Sequence, residues 1–287
     1  VAEVIWHRRI AQRRRPAALI VALSGWTDAG EAASTAAATL EDLLGLEAYA
    51  HVDPDDLYDF TSVRPSVEID ETGVRGIQWA TLVLRGPRRS ARGATPVFSL
   101  TGPEPQLHWK ALAQELVATA MLLAVDHVVT LGALLAGTPH TRPVGLVGYS
   151  TVAGMADELD LLPTQYEGPT GFLSVVQAAF DTVGIDVTSV WAEVPHYLAQ
   201  FPAYPASLAL AQAAAAALDL DVDPGPALEP YRARTAKEIE DFVAQDPELV
   251  AYVGSLERSY EIDLHTRRSA GRISREAQQY LRRFSAE

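Results

Sequence analysis

The sequence contains no cysteine, so disulfides, thiolate metal sites and a cysteine nucleophile are excluded together. Lysine is nearly absent as well, Lys110 and Lys237 being the two. Neither follows a glycine, and without that step there is no phosphate-cradling P-loop. The apolar runs "AALIVALSGW" and "LVATAMLLAVDHVVTLGALLAG" are broken by charge, glycine or a strand signal before reaching the length of a membrane span. No histidine pair stands at H-E-x-x-H spacing, so a zinc hydrolase centre is not expected. No G-x-G-x-x-G follows a strand pattern, and in "GYSTVAG" Val152 stands where a nucleophile elbow needs glycine. The segment "VAEVIWHRRIAQRRRP" leads into no apolar stretch with a small-residue cleavage pattern, so a cytoplasmic location is expected.

What is present is a chain of 287 residues, 48% hydrophobic, enough to bury one large core. Its net charge is −14, and the basic residues crowd the two ends: Arg8, Arg9 and Arg13 to Arg15 at one, and Arg267, Arg268, Arg272, Arg275, Arg282 and Arg283 at the other. The middle is therefore strongly acidic. Such a body repels nucleic acid and other polyanions, and two short basic ends read more readily as solvated faces or intersubunit contacts. Neither nucleic acid, a membrane, a metal nor a cofactor is an expected partner.

Strand-like runs alternate with alanine-rich helical ones: "AALIVALSG" then "DAGEAASTAAATLEDLLGL", and "TPVFSLTG" then "QLHWKALAQELVATAMLLA", followed by "DHVVTLGALL". That alternation predicts an α/β fold with a mainly parallel sheet covered on both faces. Further strands are expected at "EAYAHV", "IQWATLVLRG", "VGLVGYS" and "VTSVWAEV", and helices near 151–160, 170–183 and 205–219. Composition shifts at "DLDVDPGPALEP", which places a boundary between a core of residues 1–222 and a C-terminal extension of 223–287. Within the extension Ile239, Phe242, Leu249, Val253, Leu256 and Tyr260 keep helical spacing with one missed turn at Asp246. Asp246 and Pro247 read as an N-cap and first helical residue, predicting two helices rather than one.

Polar clusters follow several of the expected strands, and ligands of open α/β sheets bind beyond the carboxyl ends of strands. Asp28, Asp59, Arg64, Glu104, His140, Arg142, Glu167 and His196 are accordingly the candidate cleft residues, with no catalytic assignment among them. Each has a structural reading. Asp28 with Glu31 resembles a capping box, and Glu104, before Pro105, either supports a helix start or orients a ligand. Prolines 139 and 143 stiffen the loop that carries His140 and Arg142. A salt bridge from Arg142 to Glu104 or Asp59 weighs equally with a binding role. His196 reads as a hydrogen-bonded structural residue. In "YEGPTG" the glycines and Pro169 predict a fixed turn before a helix capped by Thr170.

Six segments together, "SGWTDAGEAA" (24–33), "DLYDFTSVRP" (56–65), "GPEPQLHW" (102–109), "LGALLAGTPHTRP" (131–143), "YEGPTGF" (166–172) and "VPHYLAQFP" (194–202), resemble the proteasome assembly chaperone 2 family, its actinobacterial branch most of all. The resemblance spans roughly residues 15–260. It implies a three-layer α/β/α domain similar to nucleoside phosphorylase-like folds, with a C-terminal helical extension, assembled as homo-oligomers among which a trimer is favoured. It also implies proteasome-related partners, although the chain ends "RRFSAE" and lacks the hydrophobic-Tyr-any terminus of ring-docking relatives. "QQYL" at 278–281 resembles the Gln-Tyr-Leu end of actinobacterial proteasome partners but is followed by six residues. The resulting expectation is a non-enzymatic oligomeric protein that acts in assembly or interaction. The alternative is an enzyme or sensor for a small polar metabolite, with His140 oriented by Glu104 or Glu167 and Arg142 clamping a carboxylate.

Overall fold

The computed structural model describes residues 3–7, 15–88, 95–164 and 166–261. Strand β2 (Ala17–Ser24) reads AALIVALS and is buried at every position but the last, as a strand covered on both faces requires. It lies at the centre of an eight-stranded sheet. Beside it run β7 (Val97–Pro103), β8 (Val125–Ala136) and β10 (Asp186–Pro195), all parallel to it in the order β7-β2-β8-β10. Outward from β7 come β6 (Val83–Pro87), β3 (Leu46–Val52) and the edge strand β1 (Val4–Trp6), each antiparallel to its neighbour; β9 (Leu146–Ser150) pairs antiparallel with β10 at the opposite edge. Two successive reversals return β3 to the direction of β2. Five strands therefore end at one rim, and the sheet is mixed but mainly of one direction.

Helices cover both faces. On one side α2 (Trp109–Leu122) and α4 (Phe172–Thr182) bury Leu112, Leu116, Phe172, Val176 and Phe180 against Leu19, Val21, Phe98 and Val128. On the other, α1 (Ala32–Leu44) and α5 (Tyr204–Ala217) meet through Ala33, Ala36, Ala37, Leu210, Ala211 and Ala214. Alanine at three- and four-residue spacing lets two helices and the sheet approach closely, which explains the alanine-rich composition there. This is the expected three-layer α/β/α arrangement.

The extension forms α6 (Gly225–Ala244) and a helix over 247–261, here α7. Asp246 Oδ1 accepts the Glu248 and Leu249 N–H groups at 2.9 and 3.3 Å, so the predicted N-cap and the break before Pro247 are both present. Ile239, Val243 and Val253 close over Leu198, with Tyr197, Phe201 and Leu249 around them.

Some elements differ from expectation. "IQWATLVLRG" is not one strand: β5 (Arg75–Gln78) pairs with β4 (Ser66–Ile69) in a separate ribbon, and β6 begins at Val83. Trp79 packs edge-on against Phe60 at 4.7 Å between ring centres, which anchors the base of the ribbon and breaks the run. The helix expected near 151–160 is one turn, α3 (Met155–Glu158). The basic C-terminal segment, "QQYL" and Arg8 to Arg14 lie outside the described residues. Among the described residues no helix is long and apolar enough to cross a membrane.

Candidate functional site

The carboxyl ends of β3, β7, β2, β8 and β10 do share one rim, so the segments 53–65, 104–108, 25–31, 137–145 and 196–203 stand side by side in that order. Adjacent segments are tied together. Asp59 N–H donates to Gln106 Oε1 at 2.8 Å, Tyr58 Oη to the Pro103 carbonyl at 2.8 Å, Glu104 N–H to the Ser24 carbonyl at 2.9 Å, and Ala133 N–H to the Thr27 carbonyl at 2.8 Å. But the rim is wide. From β3 to β10 is five strand spacings, about 24 Å, and even β7 and β8 stand about 10 Å apart with β2 between them. Side chains can meet across two strand spacings but not across five, so which groups converge depends on where each side chain is held.

Each candidate residue has its own place on it. Asp28 is buried and accepts Ala33 N–H at 2.7 Å, Ser34 N–H at 3.2 Å and Ser34 Oγ–H at 2.5 Å. It caps α1, as expected of the pair with Glu31. The second half of that capping box is missing: the Asp28 N–H donates to the Gly25 carbonyl at 3.1 Å, and Glu31 sits in the left-handed region at φ 55°. Burial pushes the Asp28 carboxyl above its ordinary value of 3.8, and the bonds from Ser34 and Ala33 oppose that rise. With the folded-state pKa above the unfolded one, its contribution to stability is present below pH 3.8 and lost as pH rises through the folded value. Asp28→Asn, which keeps an acceptor and removes the buried charge, is expected to stay within about 1 kcal/mol of wild type at pH 7. Asp28→Ala should lose about 2 kcal/mol. Urea melts from pH 7 to pH 4 check both: wild type gains on the asparagine variant as pH falls.

Glu104 reaches a different helix from the one its sequence position indicated. Helix α2 begins only at Trp109. Glu104 Oε1 instead accepts the Phe172 N–H at 2.7 Å, at the start of α4, where a negative charge meets the positive end of the helix. Thr170 is not the cap; its hydroxyl donates to Ser174 Oγ at 2.6 Å and Gly171 holds the N-cap position. Asp59 folds back on its own turn, accepting Thr61 N–H at 2.9 Å and Thr61 Oγ1–H at 2.7 Å, and these bonds hold its carboxyl below the usual range. Arg64 and Glu167 are exposed, with no hydrogen-bond or ion-pair partner among the described residues.

Arg142 overturns the expected pairing. Neither Glu104 nor Asp59 meets it; Nε donates to Glu261 Oε1 at 3.1 Å and Nη1 to Glu257 Oε1 at 3.4 Å, both on α7. Thr141 Oγ1 also donates to Glu257 Oε1, and Tyr260 Oη to the Pro143 carbonyl at 3.3 Å. The stiff loop is thus a seat for the C-terminal helix. His140 is turned inward: its N–H donates to Tyr197 Oη at 2.9 Å, and the same oxygen lies 2.7 Å from His140 Nδ1. One hydroxyl cannot receive both protons well, so Tyr197 donates to a neutral ring. Burial lowers the His140 pKa, with Glu257 and Glu240 opposing. His196 Nδ1 lies 3.0 Å from the Ala136 carbonyl, which accepts only from a protonated nitrogen; Nε2 then accepts from Tyr252 Oη at 3.3 Å. This is the structural histidine expected.

A pocket of about 70 Å³ lies beneath the loop, lined by Thr138, His140, Arg142, Glu193, Phe201 and Ile239 among others. Sites for drug-sized molecules run to roughly 300–1,000 Å³. No hydrogen bond or ion pair joins Glu104 or Glu167 to His140 or Arg142 among the described residues. His140 and Arg142 share that pocket, whereas Glu104 and Glu167 are not among the residues that line it. Sequence reasoning missed Tyr197, Glu257 and Glu261. The "VPHY" motif pointed at Tyr197 through its neighbour, but nothing local marks two glutamates on a helix more than a hundred residues from Arg142 as its partners.

A family model described as the PAC2 family matches residues 22–243. No curated protein matches the chain. Among solved structures, a PAC2 family protein from Streptomyces avermitilis is 40% identical, with TM-score 0.71 over 82% of this chain and 99% of that one. A Mycobacterium tuberculosis proteasome-assembly chaperone homologue is 36% identical, with TM-score 0.72 over 82% and 99%. A Corynebacterium glutamicum protein of unknown function is 27% identical, with TM-score 0.80 over 93% and 99%. The family match takes in the rim loops from Trp26 to Phe201 together with the sheet that aligns them, and the chain belongs to the PAC2 family.

Proposed function

We propose that the chain is a non-enzymatic, cytoplasmic interaction protein that assembles with copies of itself, a trimer being favoured, and engages proteasome-related proteins. Family membership and the likeness to the mycobacterial proteasome-assembly chaperone homologue support a chaperone-like role. The observation that carries the self-association is the β4–β5 ribbon. Its cross-strand pairs Val67↔Ile77 and Ile69↔Arg75 place Val67, Ile69, Ile77 and Arg75 on one face, with Ser66, Glu68 and Gln78 on the other. Those three apolar side chains are 57–63% exposed. A two-stranded ribbon is marginal in water without something packed on it.

A second copy fits that face on two counts. Branched aliphatic side chains of similar size pack against their own kind, and three copies of one face can meet around a threefold axis. Residues 64–78 also carry two arginines against three acids, so this face adds little to the repulsion between two bodies of charge −14. The metabolite reading is not adopted, because Glu104, Arg142 and His140 hold α4, α7 and Tyr197, and Glu167 lies outside the pocket that His140 and Arg142 line. The test is affinity purification of the tagged full-length chain from its native host, with its solution mass measured in parallel. Recovery of proteasome subunits and a mass of three 31.0 kDa chains are the expected results. A monomer that recovers none of them would overturn the proposal.

A further inference from the structure

We infer that the loop Pro139–Pro143 and the turn at His196–Tyr197 form a docking groove for an acidic amphipathic helix of a partner protein, and that this chain fills the groove with its own α7. The inference rests on the reading of the chain as an interaction module, and it names the surface and the chemistry of what sits there. The sequence pattern of α7 carries it. Leu249, Val253, Glu257 and Glu261 recur every four residues and so form one ridge of the helix. The first two enter the apolar cluster with Leu198, Ile239 and Val243. The last two place their carboxylates on Arg142, and Glu257 also on Thr141. Beside that ridge run Tyr252 and Tyr260, which reach His196 Nε2 and the Pro143 carbonyl, both at 3.3 Å.

The groove thus reads one code: two apolar residues four apart, then two carboxylates at the same spacing, flanked by tyrosines. This is helix-in-groove recognition with an arginine fork setting the register. Tethering gives α7 a high effective concentration, and a partner helix must displace it. Prolines 139 and 143 hold the loop in place whether or not the groove is filled. The ends of the ion pairs are partly solvated, with the Arg142 side chain 33% exposed, so exchange of one acidic helix for another need not strand a buried charge.

The experiment is orthogonal charge reversal on the full chain. A fluorescein-labelled peptide of residues 246–261, and the same peptide with Glu257→Arg and Glu261→Arg, are titrated by anisotropy against wild type and Arg142→Glu. Arg142→Glu sets a carboxylate against Glu257 and Glu261 and so releases α7. The arginine peptide is expected to bind this variant at least tenfold more tightly than it binds wild type, whereas the native peptide binds neither measurably. The chain carrying Glu257→Ala and Glu261→Ala, which keeps Arg142, should bind the native peptide and lose it on adding Arg142→Ala. The inference is overturned if no variant with a wild-type circular dichroism spectrum binds either peptide, or if binding ignores the sign of residue 142. A doubled solution mass for Glu257→Ala/Glu261→Ala without added peptide also overturns it, by making a second copy the occupant. Failure to recover proteasome subunits from the host would leave these peptide results unchanged.

Discussion

Val67→Asp together with Ile77→Asp is expected to reduce the solution mass to the 31.0 kDa of one chain while leaving the fold intact. Both residues belong to the ribbon rather than to the core, being 63% and 57% exposed, so a charge there meets water in the isolated chain and costs little stability. In a contact between two such faces the same charges would be buried opposite each other. An ion without a partner in an apolar contact costs several kcal/mol, and two copies double the penalty. The control is Glu68→Lys on the opposite face, which should leave the mass unchanged. Light scattering behind a sizing column reads the result. An unaltered mass in the double variant would show that the ribbon is not the intersubunit arm.

Gly171→Ala is the second large effect, and the damage is expected to fall on Glu104. The new methyl carbon would lie 2.4 Å from Glu104 Oε1, 2.9 Å from Thr27 Cγ2 and 3.3 Å from Trp26 Cε3. The backbone at Gly171 is extended, with φ −89°, so crowding rather than torsion is the difficulty. Thr27 is buried and has no room to yield. The Glu104 carboxylate can swing aside, but only by releasing the Phe172 N–H that it holds at 2.7 Å. Overpacking of this kind costs about 1–3 kcal/mol, and loss of a helix cap about 0.5–2 kcal/mol. Glu104→Ala should cost roughly the cap alone. The double variant should then fall short of the sum of the singles, because both remove the same bond. Denaturant melts of the four proteins measure this; strict additivity would mean that Gly171 and Glu104 act independently.

Much of the fold was legible in local pattern. The unbroken apolar run of β2 could serve only a strand buried on both faces. The alanine spacing of α1 and α5 could serve only close helix packing. Asp246 before Pro247 marked the break between α6 and α7, because capping and proline chemistry act within one turn. The ribbon was not legible: "SVEI" and "RGIQ" are short and exposed at every position, and the end of the second runs without a break in pattern into the strand that follows. Its independence depends on Trp79 meeting Phe60. Asp28 is recognisable as a cap for α1, whereas for Glu104 proximity in sequence points only to the adjacent α2 or to a ligand and gives no sign of α4.

The sequence by itself determined the class of the fold, the rim on which the polar segments gather, and the exclusion of cysteine, P-loop and nucleophile-elbow chemistry, since each depends on residue type or on spacing within one element. Only the tertiary structure decided which groups on that rim meet. The Glu104 carboxylate is held at the start of α4, and the return of the chain through α6 brings Glu257 and Glu261 to Arg142 instead. Electrostatic partners are chosen by distance in space, and no periodicity in the sequence encodes a distance between elements that far apart.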